Sequence, residues 1–173
     1  MIELLPWIDR RWTFGLQARV FPALLERLRG TAARARALVA DMPDEQLSAC
    51  VPPAWSSKEH IGHLDDLHDL DERRLDEFLA RVEALSSADM TNQRTRTAAH
   101  NAVAIGEILD RFERHREPLV ARMEALSESD VEIASMHPRL RQPVRLIDWA
   151  YFVAEHDDHH LAQARRALVR ARG

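Results

Sequence analysis

The sequence predicts an all-α protein built as a four-helix bundle. Five Gly and eight Pro in 173 residues, beside abundant Ala, Leu, Arg and Glu, favour helix over sheet. Four long stretches carry apolar residues at helical spacing, and no period-two strand pattern competes with them. A chain of this length makes one domain, and amphipathic helices bury their apolar faces by packing on each other. The chain is therefore read as a single domain over residues 1–173, with residues 1–16 as an N-terminal extension.

The first helix runs from Gln17 or Pro22 to Ala40 and turns Phe21, Leu24, Leu25, Leu28, Ala32, Ala35 and Val39 to one side. Pro22 either kinks it or stands in its first turn. Met42-Pro43-Asp44 ends it, and Val51-Pro52-Pro53 forms a rigid connection. Ser56 N-caps the second helix, with Glu59 at the capping-box position. Leu64, Leu67, Leu75, Phe78 and Val82 face inward before the helix stops at Ser86-Ser87. Ala88 to Thr97 is polar and irregular. The third helix covers Ala98 to Leu126, with Ala102, Ile105, Leu109, Phe112, Leu119 and Met123 inward and a bend at Pro118. A long loop from Ser127 to Pro143 follows. The fourth helix takes Val144 to Arg172.

The totals restrict the function classes. Apolar residues make up 46% and charged residues 30%, as in an ordinary soluble domain. A formal charge of -4 argues against a nucleic-acid partner. Arg165, Arg166, Arg170 and Arg172 complement the dipole at the end of the last helix. Cys50 is the single cysteine, which excludes a disulfide framework and a Cys-rich metal site. No apolar run approaches ~18 residues, so no membrane span is expected. Met1 to Trp7 lacks the basic region and long apolar stretch of a signal peptide. A cytoplasmic protein with a small-molecule partner is expected.

The strongest chemical signal is Ala154-Glu155-His156-Asp157-Asp158-His159-His160-Leu161-Ala162-Gln163. Residues four apart share a helix face, so His156 and His160 fall on the stripe of Trp149, Val153, Ala164 and Ala167. Such a pair alone is more often hydrogen-bonded than ligating. A second cluster, His60, His63 and His68 on the second helix, brings a metal site into contention. Periodicity does not choose among those three. No Gly-x-Gly-x-x-Gly, Walker A or Gly-x-Ser-x-Gly occurs. The di-iron bundle signature fails too, because Asp65 to His68 and Asp157 to His160 carry Asp in place of Glu. His156-Asp157-x-x-His160 resembles the zinc-protease motif, but Asp157 points about 100° off the His stripe.

Three segments resemble the DinB-like (DinB/YfiT) family of four-helix-bundle metalloenzymes. They are Trp55-Ser56-Ser57-Lys58-Glu59-His60-Ile61-Gly62-His63-Leu64, then His137-Pro138-Arg139-Leu140, then Phe152 to Gln163. The similarity covers about Leu24 to Leu168. It implies His63, His156 and His160 as metal ligands, with Glu59 setting the register of His63 and His60 left as an extra histidine, either solvated or hydrogen-bonded. His159 is then a solvent-facing group or a support behind the ligands. The resemblance also implies a long crossover between helices 2 and 3, a homodimer, and, in some relatives, transfer of a low-molecular-weight thiol.

Three imidazoles leave a coordination position open, to activate either a water or a thiolate. All-nitrogen ligation suits zinc or nickel ahead of iron. The opposing reading is a metal-binding or structural dimer without turnover. With helices 2 and 3 parallel, the stretch from Leu85 to Ala98 spans about 43 Å, enough to return along a helix. Asn92, His100 and Asn101 then lie near the cavity rim and join Glu59 and His159 as candidates either to touch the substrate or to support the ligands from behind.

Overall fold

The computed structural model describes residues 2–50 and 53–171. The expected connection through Val51 and Pro52, and the end of the last helix at Arg172, lie outside the described residues.

Four arms form the bundle. The first is α1 (Phe21–Arg29) followed by α2 (Thr31–Val39), with Pro22 in the first turn. The expected single helix is thus two, divided at Gly30, the weakest helix former in the stretch after proline. A short α3 (Asp44–Ser48) follows Pro43. The second arm is α4 (Ser57–Asp66) and α5 (His68–Leu79), meeting at Leu67. Ser56 and Glu59 form the expected capping box. This arm ends at Leu79 rather than Ser86, because Arg81 adopts a left-handed φ of 55° that no helix continues.

The crossover holds α6 (Gln93–Thr97) and a 3₁₀ turn at His100–Ala102. The third arm, α7 (Ile105–Glu124), starts later than Ala98 because Ala99 is left-handed and Ala104 extended. Pro118 lies within it. The stretch expected to be a loop holds structure: α8 (Glu128–Val131) and an antiparallel hairpin of β1 (Ala134–His137) and β2 (Gln142–Arg145). Met136 also exchanges backbone hydrogen bonds with Glu83 and Leu85, which ties the hairpin to the crossover. The fourth arm is α9 (Leu146–Ala171).

The second and third arms run parallel. Lys58 Nζ reaches the Val103 carbonyl at 2.8 Å, Asp65 pairs with Arg111 and His115, and Glu72 pairs with Arg122, so both chains advance together. The crossover therefore has to travel the length of the bundle.

Apolar packing fills both ends. Leu75, Phe78, Leu119, Met123, Ile147 and Trp149 pack near the hairpin, and Ile61, Ile108, Ala164 and Leu168 pack near α3. Between them lies a buried polar layer that includes Thr31, His63, Asp71, Arg116, Asp157 and His160. Burial of charge on this scale costs free energy unless each group is paired, so this layer is where function is sought. Among the described residues, no helix is long and apolar enough to cross a membrane.

Candidate metal centre

α4 and α9 face each other and bring three imidazoles together. One ring nitrogen each of His63, His156 and His160 lies within 4.8 Å of the others. Ring centroids are 4.4 Å apart for His156 and His160, 4.6 Å for His63 and His160, and 5.4 Å for His63 and His156. Burial drives the His63 pKa down to about 4 and those of His156 and His160 well below 6.5. Neutral rings crowd without repulsion and offer lone pairs to a cation.

Two of the three imidazoles are oriented from behind. Thr95 Oγ1 lies 2.8 Å from His63 Nδ1. Thr95 also hydrogen-bonds Asp66, whose carboxylate accepts from His100 Nε2 at 2.8 Å. Burial pushes the Asp66 carboxyl up, but the bonds from His100 and Thr95 outweigh it and hold the pKa down. With its hydroxyl given to Asp66, Thr95 accepts from His63 Nδ1–H, which leaves His63 Nε2 as a free lone pair. His160 Nδ1 is paired with His60 Nδ1 at 3.1 Å, which holds the His160 ring in its orientation. Thr95→Val is expected to weaken metal binding 10–100-fold while the fold persists. A competition titration with a zinc chelator checks this, and unchanged affinity would show that Thr95 does not orient His63.

A cavity of about 310 Å³ opens against these rings. The N-terminal segment crosses it: Trp7 stacks edge-on to Phe152 and His156, both at 4.9 Å, and lies 5.7 Å from His159. The segment is moored at several points. Gly15 and Leu16 N–H groups donate to Asp148, and Arg10 pairs with Glu155 at 2.5 Å. Beneath the cavity, Arg116 Nη1 donates to Asp157 at 2.9 Å and Thr31 Oγ1 donates to the same carboxylate at 2.8 Å. This joins three arms behind His156.

The other candidates divide. Asn92 and His159 line the cavity, and His159 is buried rather than solvent-facing because Trp7 covers it. Glu59 does not line it; its carboxylate is used by the Ser56 N–H at 2.7 Å. Asn101 also works at the cap, accepting from Ser56 Oγ at 2.6 Å. His100 lies at the same end as His63, as the parallel topology requires, but packs behind α4. A Cβ on Gly62 would stand 2.4 Å from its ring, so only glycine fits there. His100 thus reaches the centre through Asp66 and Thr95, not at the rim. His68 is away from the triad, stacked on His115 at 4.2 Å.

Thr95, Trp7, Asp71, Arg74 and Arg139 were not singled out from sequence. Only Arg139 carried a signal, through its place in the His137-Pro138-Arg139-Leu140 segment.

A family model described as the DinB superfamily matches residues 27–164. None of the curated proteins matches the chain in sequence. Among solved structures, the chain is similar to YfiT from Bacillus subtilis, described as "a probable metal-dependent hydrolase with an unusual four-helix bundle topology". The TM-score is 0.81 at 16% identity, over 94% of this chain and 93% of that one.

Proposed function

We infer that this chain, which belongs to the DinB superfamily, is a metal-dependent hydrolase of a small molecule, with one divalent ion held by His63, His156 and His160. The observation that carries the reading is the convergence of three neutral imidazoles on the wall of a cavity large enough for a ligand. The donor set fits such an ion: three nitrogens, two of them oriented by Thr95 and His60. No carboxylate joins them among the described residues, which favours zinc or nickel over iron. An ion bound by three imidazoles keeps a position open and lowers the pKa of a bound water toward neutrality.

The surrounding residues have separate tasks. His159 lines the cavity with its ring centroid 5.5 Å from that of His160, and burial lowers its pKa, so a neutral imidazole stands ready to accept a proton. Trp7 excludes water from the outer side. Transfer of a hydrophilic thiol at the same open position is the second reading, favoured by Asn92 on the cavity wall. A purely structural metal site accounts for the imidazoles but not for the cavity above them.

Metal analysis of purified protein, followed by paired screens, tests this. Hydrolysis of small esters and amides is expected to stop with chelator and return with zinc or nickel. Conjugation of thiols to a model electrophile without any hydrolysis would transfer the assignment to the second reading. Full metal occupancy with neither activity would overturn both.

A further inference from the structure

Five buried side-chain polar atoms among the described residues have no hydrogen-bond partner. Two belong to residues that line the cavity, His137 Nε2 and Arg139 Nη2. A buried donor left unmet has given up its hydrogen bonds to water with nothing in return. Both side chains lie against the Phe152 ring, at 5.3 Å and 5.4 Å, and point to a ligand that meets both donors.

Each is prepared as a donor. The Leu140 N–H donates to His137 Nδ1 at 3.3 Å, so the proton of the neutral ring sits on Nε2. Arg139 has no carboxylate partner among the described residues, and its guanidinium lies 5.4 Å from the Phe152 ring and 5.9 Å from that of Trp7. The rings fix its plane and strip its water. Arg74 is close enough to affect both electrostatically, and its own hydrogen bonds go to the neutral Ser86 carbonyl. Asp71 offsets Arg74, while the Arg116–Asp157 pair is neutral in sum. The Asp89 carboxylate, also on the lining, is exposed and taken up by the Thr91 and Gln93 N–H groups, which leaves the Arg139 guanidinium as the cation on this lining without a carboxylate partner among the described residues.

We propose that His137 and Arg139 bind the carboxylate of the substrate, one oxygen taking the His137 Nε2–H and the other the Arg139 Nη2–H. A single unpaired guanidinium suits a monoanion; a phosphate dianion would leave a charge buried and unpaired. The remaining wall is apolar, including Leu64, Leu67, Leu70, Met90 and Val153, and receives an apolar stem. The substrate class is therefore a small apolar carboxylic acid that carries a second, hydrolysable group. The word substrate rests on the hydrolase reading, but carboxylate binding does not.

Calorimetric titration of metal-free protein with 3-phenylpropionate tests the subsite, with 3-phenylpropanol as the neutral counterpart and inorganic phosphate as the dianion. The acid is expected to bind at least tenfold more tightly than the alcohol, and phosphate not to compete. Arg139→Gln is expected to remove that preference, His137→Gln to reduce it, and Arg139→Lys to retain part of it. Arg139 Nη2 has no hydrogen-bond partner among the described residues, so R139Q is expected to fold; if it does not, R139K and H137Q decide. Equal binding of acid and alcohol, tighter binding of phosphate, or an R139Q protein that binds the acid like the parent would overturn the proposal. Because the protein is metal-free, a failure of the hydrolase reading leaves a positive result standing. Metal-dependent turnover of neutral esters with no acid binding would remove the carboxylate subsite alone.

Discussion

His156→Ala is expected to leave the helices in place and to lower divalent-metal affinity by more than the ~10–100-fold typical of losing a supporting residue. The loss is large because His63 and His160 alone cannot surround an ion on three sides, and no carboxylate joins the cluster among the described residues. The fold tolerates the change. The imidazole is neutral in the metal-free protein, so its removal abandons no buried charge. Metal content after dialysis, set beside far-ultraviolet circular dichroism, reads both halves of the expectation. Full occupancy in a triple variant lacking His63, His156 and His160 would place the ion elsewhere.

The largest effect on stability is expected at Arg116. Its guanidinium and Asp157 are buried together, with Thr31 completing the carboxylate's hydrogen bonds. Arg116→Ala strands that carboxylate and is expected to cost about 3–5 kcal/mol. The double variant R116M/D157L removes both charges and is expected to recover much of the loss, because each desolvation penalty disappears with its charge. Urea denaturation of the two variants measures the difference. A single variant within about 1 kcal/mol of the parent would show that water reaches Asp157 and that the polar layer is not sealed.

The bundle was legible where periodicity runs long. The stripe that holds Trp149, Val153, His156, His160 and Ala164 needs only the i,i+4 rule, and the structure buries it against α4. His63 was not separable from His60 and His68 by spacing; the Trp55 to Leu64 motif made the choice, and Glu59 turned out to serve the cap beside it. The breaks at Gly30 and Leu67 escaped because an apolar stripe continues across both. β1 and β2 are four residues each, too short for a period of two to stand out. The cavity walls were least visible of all. Asp71 and Arg74 belong to no motif, Arg139 stands out only through the His137 to Leu140 segment, and Thr95 sits in a polar stretch with no period. Such contacts arise from distant segments meeting, and no local pattern encodes them.

Two of the four tryptophans stand against the imidazole triad, Trp7 at 4.9 Å from His156 and Trp55 at 5.1 Å from His63. The protein thereby carries its own optical reporter. An open-shell ion such as nickel held among those rings would quench the emission of both indoles, whereas closed-shell zinc would leave it largely intact. The identity of the bound ion becomes readable from unlabelled protein in a cuvette, and one indole belongs to the N-terminal segment while the other belongs to the bundle. Comparing Trp7→Phe with Trp55→Phe would then report separately on the cover of the cavity and on its frame.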